Sequence, residues 1–371
     1  MHLNFKTILV FIIFFNAQLF SASRFLELGL ETIGLARRVS TLADVNPIFQ
    51  IRERIHAAFN ARSKPFNLPP CINITWSTAR DGLQIYHKTP FKIAHRGMLL
   101  FLETSIIPQC FRQEFGSFVN PSRLPAVSQP QLVIKKMIEY GIPPQAQRIS
   151  VLITNERGFE DFAKLFHEVP EEWKQALEPA IFTAACPVFL KSNTGFSCIE
   201  DHMKILEKIA TEAAALHVCY TRAFVSMAFR SPFNNNDLTP IAANLCRELH
   251  KIGYAEVVPA DTNGLASITQ IIDLFSDLHR SGVPRESLGF HGHDLGNEIE
   301  ALVAVLPFVN TVDVTVSGIG GCPFSPGAPG NMNARLVAKV LETLGIKTGV
   351  SYPHLTKAEI ALGGILKRYG L

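Results

Sequence analysis

Residues 180–185 read Ala-Ile-Phe-Thr-Ala-Ala, a run that is apolar on both faces of an extended chain. A strand with one face in water would alternate apolar and polar residues, whereas a parallel strand covered by helices is apolar throughout. A helix-patterned segment at 199–216 follows it, with apolar residues at steps of three and four. The pair predicts one strand–helix unit of an α/β fold.

The same alternation repeats from residue 71 nearly to the end of the chain. Eight strands are predicted, at 72–78, 113–119, 149–154, 180–185, 218–226, 255–259, 287–292 and 311–317. Helical patterns lie between or after them, at 132–140, 158–165, 199–216, 240–252, 268–280, 297–306 and 334–344. Eight such units in about 300 residues match the size of an α/β fold of the (β/α)8 TIM-barrel type. A doubly wound sheet is the alternative, but no Gly-x-Gly-x-x-Gly follows the first strand.

Composition excludes several classes of protein. Of the 371 residues 47% are hydrophobic and 18% charged, which is typical of a folded chain with a large core. The net charge is +3 and no basic cluster occurs, so we expect no nucleic-acid partner. The seven cysteines are irregularly spaced and none forms Cys-x-x-Cys, which argues against a disulfide framework or a zinc–thiolate site and favours a reducing compartment.

The N-terminus suggests a different compartment. Residues 7–23 carry no charge and include the apolar run at 8–15, which is shorter than the ~20 residues of a membrane span. Lys6 before this run and small residues at 21–23 resemble a secretory signal. An arginine bias over 24–64 resembles an organelle transit peptide, although acidic residues interrupt it. We therefore divide the chain into a targeting or accessory segment, 1–65, and a catalytic barrel, 66–371, with no stable membrane span in the mature chain.

Polar and ionisable residues stand where several predicted strands end or begin. In a (β/α)8 barrel the carboxyl ends of the strands carry the active site. Such residues recur at strands 1, 2, 6, 7 and 8, and they are Arg80, Asp81, Glu114, Asp261, His291, His293 and Cys322. This recurrence at one end of the barrel is a stronger signal than any single residue.

The two histidines predict a metal site. His291 and His293 are two residues apart on a strand, so their side chains point to the same face. Asp81 can add a carboxylate from the neighbouring strand 1, and the amide oxygen of Asn331 can add a weaker ligand. Oxygen and nitrogen donors without thiolate favour Mg²⁺ or Mn²⁺, with Zn²⁺ less favoured. The alternative is a pair of hydrogen-bonded core histidines.

Arg80 and Asp261 each allow two interpretations. The Arg80 guanidinium can stabilise an enolate while Glu114 holds it in place, or the two can form a structural ion pair. Asp261 can orient a histidine or cap the helix that follows strand 6.

The segment 318–331 contains five glycines and three prolines around Cys322, which excludes helix and regular strand. We interpret it as a mobile active-site loop that delivers a thiol to the substrate. The alternative is a tight connection with Cys322 as a small buried apolar residue.

At these residues the chain resembles the hydroxymethylglutaryl-CoA lyases, a family of the metal-dependent lyase and condensing-enzyme superfamily built on a TIM barrel. The matching motifs are Arg-Asp-Gly-Leu-Gln at 80–84, Gly-Ser-Phe-Val-Asn-Pro at 116–121, His-Gly-His-Asp at 291–294 and the cysteine loop at 318–331. They occur in the expected order and spacing from about residue 71 onward, and the cysteine loop is the most specific of them.

The resemblance implies an enzyme that cleaves hydroxymethylglutaryl-CoA to acetyl-CoA and acetoacetate, in leucine breakdown and ketone-body formation. It implies a divalent cation, Mg²⁺ or Mn²⁺, held by Asp81, His291, His293 and Asn331. It gives Arg80 the role of binding the substrate and stabilising an enolate, with Glu114 in support, and Cys322 the role of catalytic thiol. Asp81 and His291 are the candidate bases. After strand 4, Lys191 and Asn193 are expected to contact coenzyme A.

The resemblance also implies a homodimer in the mitochondrial matrix, whereas the apolar N-terminal segment favours a secretory route. A related 3-hydroxy-acyl-CoA substrate and a catalytically degenerate CoA-binding paralogue remain alternatives. Near the site the sequence departs from the usual family pattern, and these departures leave the exact acyl-CoA substrate open. They include Ile85, Tyr86, Leu295, Asn333 and Arg335.

Overall fold

A computed structural model of the protein describes residues 46–107, 110–322, 325 and 327–371. The apolar run at 8–15 and the rest of the predicted targeting signal lie outside the described residues. Within the described part of the chain, no helix is both long enough and apolar enough to cross a membrane.

Eight parallel strands form a closed barrel in sequence order, which confirms the predicted (β/α)8 architecture. They are β1 Asn73–Trp76, β2 Arg112–Phe118, β3 Arg148–Ile153, β4 Leu177–Ala184, β5 Arg222–Ser226, β6 Glu256–Asp261, β7 Gly289–Gly292 and β8 Thr311–Val314. The barrel closes where β1 pairs with β8, with Asn73 opposite Thr311 and Trp76 opposite Val314. Every predicted strand overlaps an observed one.

Helices surround the barrel. They are α1 Asn46–Asn60, α2 Ile93–Ile106, α3 Pro130–Glu139, α4 Glu156–Glu168, α5 Glu171–Ala176, α6 Pro187–Thr194, α7 Ile199–Ala215, α8 Thr239–Ile252, α9 Ile268–Arg280, α10 Glu298–Val305, α11 Ala334–Thr343 and α12 Tyr352–Arg368. The seven predicted helices correspond to α3, α4, α7, α8, α9, α10 and α11. Helices α2 and α12, in which glycines interrupt the apolar pattern, were not predicted from the sequence, and neither were the short helices α5 and α6.

Helix α1 lies within the segment that was set aside as targeting or accessory. Its side chains Ile48, Ile55 and Phe59 are fully buried, and the Phe59 ring stacks 5.5 Å from that of Phe308. The helix packs against α9 and α10. Residues 46–60 are therefore part of the outer layer of the barrel, which the division at residue 65 did not anticipate; the division itself stays a prediction.

The barrel interior has an apolar part and a charged part. Leu152, Ala180, Phe224 and Val258 come from four consecutive strands and pack together near the cavity. Beside them lies a buried set of charged side chains on strands, namely Arg112, Glu114, Glu178, Arg222, Glu256 and Asp313. Buried charges are costly unless they are paired, and these residues pair with one another. Four of these residues, at 112, 178, 222 and 256, are the first or second of their strands and so lie at the amino end of the barrel. Glu114 and Asp313 connect the set to Arg80 and His291 at the carboxyl end, where the candidate site lies.

Candidate active site

Strand β1 runs into a short π-helical turn, Thr78–Gly82, that carries Arg80 and Asp81. Both side chains are buried, with Arg80 Nη1 donating to Asp81 Oδ1 at 2.5 Å. A Cβ added at Gly82 would lie 3.0 Å from Ile319 Cγ1, so the glycine lets the segment after β8 approach closely. The turn thus places Arg80 and Asp81 against the base of the cysteine loop.

Asp81, His291 and His293 are buried together at the carboxyl ends of β1 and β7. One potential ligand atom from each lies within 4.8 Å of the others. Asp81 Oδ2 is 3.7 Å from His291 Nε2 and 3.8 Å from His293 Nε2, and the two Nε2 atoms are 3.2 Å apart. The structure therefore brings together the three side chains that the sequence analysis proposed as metal ligands.

The other ring nitrogen of each histidine faces an oxygen acceptor. His291 Nδ1 is 3.0 Å from Asp313 Oδ2, and His293 Nδ1 is 2.9 Å from the Pro329 carbonyl oxygen. With the proton on Nδ1 in both rings, the Nε2 lone pairs face Asp81. Histidine ligands are commonly oriented for a cation in this way.

The protonation of the pair is set by its surroundings. Burial disfavours a charged ring at His291, but hydrogen bonds to Asp313 and Asp81 outweigh it and raise the pKa of His291 to about 9. Burial and the charge on His291 lower the pKa of His293 to about 4. The two Nε2 atoms lie 3.2 Å apart. A divalent cation fits between them and Asp81, because it would meet two imidazole nitrogens and a carboxylate oxygen.

The Asp81 carboxyl is ionised. Burial alone would raise its pKa, but the Arg80 guanidinium and the two histidines hold the pKa of Asp81 well below its usual range. Asn331 reaches the same carboxylate through its amide nitrogen, since Nδ2 donates to Asp81 Oδ2 at 2.9 Å and to the Ile319 carbonyl at 3.0 Å. The structure thus brings Asn331 to the site as a donor, and its role as an oxygen ligand stays a prediction.

Arg80 is clamped on its other side by Glu114. Arg80 Nε is 2.9 Å and Nη2 is 2.7 Å from Glu114 Oε2. The guanidinium carbon also lies 5.3 Å from the centroid of the Phe224 ring. The predicted Arg80–Glu114 contact is present, and it holds the guanidinium beside the cluster of Asp81, His291 and His293.

A cavity of about 470 Å³ opens onto these residues. Its wall includes Arg80, Asp81, His291, His293 and the half-buried Cys322. Of the loop, Pro323, Phe324 and Pro326 lie outside the described residues. The Cys322 thiol and the cluster of Asp81, His291 and His293 line the same cavity, as expected for a loop that brings a thiol to the active site.

Lys191 and Asn193 lie on helix α6 and line the same cavity. Asn120, Arg123 and Asn155 also line it and were not predicted from the sequence. Asn120 and Arg123 follow strand β2 in or next to the quoted 116–121 motif, so their position after a strand was an available signal.

Asp261 does not contact a histidine through its carboxylate. Its two oxygens accept hydrogen bonds from the backbone N–H groups of Leu265 and Ala266, at 3.0 and 3.1 Å. Helix α9 is capped separately by Ser267 and Gln270. Asp261 therefore stabilises the turn that precedes α9. This role resembles the predicted capping of the helix after strand 6 more than the predicted orientation of a histidine.

Two residues that depart from the family pattern have clear structural partners. Asn333 caps helix α11 by accepting from the N–H groups of Arg335 and Leu336. Arg335 pairs with Glu359 of α12 through two hydrogen bonds of 3.0 and 2.6 Å. An arginine at a helix N-terminus opposes the helix dipole, and Glu359 offsets that charge.

The remaining departures, Ile85, Tyr86 and Leu295, do not line the cavity, although Ile85 follows Gln84, which does. Ile85 and Leu295 are exposed at 41% and 57%. A Cβ on Gly321 would lie 3.1 Å from Ile85 Cδ1, so Ile85 lies against the cysteine loop. The Tyr86 ring meets that of Phe91, 6.1 Å away.

A buried Asp-His-His cluster, a clamped arginine and a loop thiol at the carboxyl end of a closed (β/α)8 barrel define a site suited to metal-assisted chemistry on a carbonyl compound. A family model described as HMGL-like matches residues 160–361. The chain belongs to this HMGL-like family.

Curated relatives agree with this assignment. The chain is 31% identical over 297 residues to the mitochondrial hydroxymethylglutaryl-CoA lyase of Homo sapiens, covering 78% of this chain and 84% of the relative. It is 28% identical over 296 residues to the cytoplasmic 3-hydroxy-3-methylglutaryl-CoA lyase of Rattus norvegicus, covering 78% and 80%. The solved structure of the HMG-CoA lyase from Brucella melitensis matches with a TM-score of 0.69 and 26% identity, covering 81% of this chain and 100% of that one. These relatives imply that this chain is a lyase.

Proposed function

We propose that this protein is a hydroxymethylglutaryl-CoA lyase, which cleaves its substrate to acetyl-CoA and acetoacetate in leucine breakdown and ketone-body formation. The observation that carries the proposal is the convergence of Arg80, Asp81, His291 and His293 on the cavity that Cys322 also lines. The names of the relatives support the same substrate.

Asp81, His291 and His293 would hold the divalent cation. We favour Mg²⁺ or Mn²⁺ because the cluster contains no thiolate, whereas two imidazoles and a carboxylate also suit Zn²⁺. A bound cation supplies Lewis acidity, which lowers the pKa of the tertiary hydroxyl of the substrate. Asn331 would join as a ligand through its amide oxygen after a rotation of the amide, since it now presents Nδ2 to Asp81.

The proposed reaction is a retro-Claisen cleavage. A base removes the proton of the 3-hydroxyl, the bond between C2 and C3 breaks, and the electron pair of that bond passes to the acetyl-CoA enolate. Asp81 and His291 are the two candidate bases, since both line the cavity. The second product, acetoacetate, keeps the former hydroxyl oxygen as its ketone.

Arg80 would stabilise the enolate. Its guanidinium is held by Glu114 at 2.9 Å, is buried, and faces the cavity, so it needs no reorganisation when negative charge develops. Cys322 would then deliver the proton that converts the enolate to acetyl-CoA. Its position on a loop fits this role, because the loop can shield the enolate from water and still release coenzyme A.

The coenzyme A moiety would lie along α6. Lys191 and Asn193 line the cavity there, and Arg123 lies on the wall as well. Lys191 and Arg123 are exposed cations, which suits them to the phosphates of coenzyme A.

A related 3-hydroxy-acyl-CoA is the second candidate substrate, because the exposed apolar Ile85 and Leu295 stand where the family pattern differs. A catalytically degenerate CoA-binding paralogue is the third reading. The presence of all four of Asp81, His291, His293 and Cys322 disfavours it.

The test is to incubate the purified full-length chain with hydroxymethylglutaryl-CoA, and separately with 3-hydroxy-acyl-CoA thioesters that differ at C3. Acetyl-CoA and acetoacetate are quantified together. We expect equimolar products from hydroxymethylglutaryl-CoA and a lower kcat/KM for the other thioesters. A higher kcat/KM for another thioester would identify that thioester as the substrate. Coenzyme A binding without cleavage of any thioester would favour a catalytically degenerate paralogue.

We further propose a mitochondrial matrix location, a homodimer, and a catalytic domain over 66–371 against which helix α1 packs. The mitochondrial relatives support the matrix, whereas the cytoplasmic relative shows that the family occupies more than one compartment. A fluorescent tag at the C-terminus, which leaves the N-terminus free, tests the location; co-localisation with an endoplasmic reticulum marker would favour the secretory alternative. Analytical ultracentrifugation tests the dimer.

A further inference from the structure

Asp313 connects His291 to an arginine on a distant strand. β7 and β8 pair with Phe290 opposite Val312, so the next residues, His291 and Asp313, face each other. Asp313 Oδ2 lies 3.0 Å from His291 Nδ1, and Asp313 Oδ1 lies 2.6 Å from Arg222 Nη2 on β5. Each carboxylate oxygen therefore has its own partner.

We propose that Asp313 and Arg222 are positioning residues, which hold the His291 ring with its proton on Nδ1 and its Nε2 facing Asp81. The inference rests on the proposed metal site. Asp313 and Arg222 would thus raise the affinity of that site for a cation, although neither side chain would touch the cation or the substrate.

The surroundings of Arg222 restrict its movement. The residue is fully buried, and its guanidinium carbon lies 4.6 Å from the centroid of the Phe224 ring. The same ring meets His291 edge-on at 5.7 Å. Arg222 Nη1 is also 3.6 Å from Glu114 Oε1, which joins it to the clamp on Arg80. Arg222 thus borders both halves of the site, the histidine pair and the enolate-binding arginine.

A purely structural role is the competing explanation, because Arg222 belongs to the buried charge cluster of the barrel. Glu256 allows the two roles to be separated. It lies 3.6 Å from Arg222 and 2.7 Å from Arg112, and it hydrogen-bonds to Thr311. None of the hydrogen bonds or ion pairs of the described residues joins Glu256 to a histidine. Glu256→Gln is therefore the matched control for a carboxylate lost from the cluster.

The test variant is Asp313→Asn, which keeps the shape of the side chain. Its amide oxygen can still accept from Arg222, which then turns the NH₂ group toward His291 Nδ1. An NH₂ group cannot accept the Nδ1 proton, so the favoured neutral ring would carry its proton on Nε2 and lose the lone pair that faces Asp81. Asn in place of a histidine-orienting aspartate is known to have this effect in catalytic triads.

Two measurements are made on the full-length chain. Mn²⁺ affinity, followed by electron paramagnetic resonance, is expected to fall about 10- to 100-fold in Asp313→Asn and to change little in Glu256→Gln. In metal-free protein labelled with ¹⁵N-histidine, the protected Nδ1–H signal of His291 is expected to disappear in Asp313→Asn and to persist in Glu256→Gln. Circular dichroism confirms that each variant is folded.

If Asp313→Asn fails to fold, Arg222→Lys takes its place. It keeps the charge but loses the planar fork, and a fall in Mn²⁺ affinity with a weakened Nδ1–H signal is expected. Unchanged Mn²⁺ affinity and an unchanged Nδ1–H signal in the folded variant would overturn the proposal, and so would equal losses in Glu256→Gln. Failure of the native chain to bind Mn²⁺ would instead refute the proposed metal site, while the Nδ1–H signal would still report on the contact.

Discussion

The side-chain amide of Asn331 donates to Asp81 Oδ2 at 2.9 Å, across the seam where the barrel closes. Asp81 follows β1 and Asn331 ends the cysteine loop after β8, and β1 and β8 are neighbours only because the barrel is closed. The contact couples the base of the thiol loop to the carboxylate of the proposed metal site. We therefore expect a change in the loop backbone to alter the affinity of the site for a metal ion.

Gly320→Ala tests this coupling. Gly320 has a φ of +132°, and an added Cβ would overlap Asn331 Nδ2. We expect the Asn331 amide to be displaced and Mn²⁺ affinity to fall about tenfold or more. Gly327→Ala is the control, because its φ is +71° and an added Cβ would meet nothing within 4 Å. Both variants carry the strain of a positive φ, so equal Mn²⁺ affinities would show that the loop base and the metal site are independent.

Cys322→Ala separates proton chemistry from metal binding. We expect kcat to fall roughly 10²- to 10⁴-fold, the range that a positioned proton donor contributes, while Mn²⁺ affinity stays unchanged. Cys198→Ala, which removes a half-buried thiol on the outer layer at the start of α7, should leave both unchanged. Full activity in Cys322→Ala would refute the role of the thiol.

The pair Arg335–Glu359 should stabilise the packing of α11 on α12. The two side chains are 22% and 17% exposed and form a bidentate contact. A double-mutant cycle with alanine should give a coupling of about 1–2 kcal/mol in the free energy of unfolding by urea. The exposed pair Lys204–Asp201 should give less than about 1 kcal/mol in the same experiment. Similar coupling energies for the two pairs would show that Glu359 stabilises Arg335 no more than an ordinary surface ion pair does.

Glu103 should make stability fall as pH rises. It lies on α2 at 1% exposure, and burial raises its pKa to about 8, outweighing the hydrogen bond from Gln113. Below the pKa of the unfolded chain, near 4.5, Glu103 is protonated in both states and does not change the free energy of unfolding. Above it, the unfolded chain ionises first, so the free energy of unfolding falls as pH rises toward 8. Between pH 5 and 8 this fall amounts to on the order of 3 kcal/mol.

Glu103→Gln should therefore flatten the decline in unfolding free energy between pH 5 and 8. Glu139→Gln on the exposed end of α3 is the control, and it should leave the decline as in the native chain. An equally steep decline in Glu103→Gln would show that Glu103 is ionised in the folded protein.

The sequence alone predicted the barrel and the residues at its carboxyl end. Apolar runs such as 180–185 repeat with a regular spacing, and the step of two between His291 and His293 places both rings on one face whatever the rest of the fold does. Neither inference needs the exact pairing of distant strands.

The contacts that depend on strand pairing could not be predicted. Asp313 meets His291 because of the register between β7 and β8, and Arg222 reaches Asp313 across the barrel interior. Asp313 and Arg222 are charged residues in otherwise apolar strands. The sequence therefore indicates that each has a charged partner inside the barrel, but it does not identify that partner. Helix α1 was not predicted for another reason, since its arginines resemble those of a targeting segment although its apolar face packs on the barrel.

The proposed metal-dependent cleavage is tested by measuring acetoacetate formed from hydroxymethylglutaryl-CoA by the full-length chain, stripped of metal and then reconstituted with Mg²⁺ or Mn²⁺. His293→Ala, treated in the same way, serves as the comparison. We expect no product without metal, equimolar acetoacetate and acetyl-CoA after reconstitution, and little product from His293→Ala at any metal concentration. Equal product with and without metal, or none from the reconstituted native chain, would contradict the proposed cleavage.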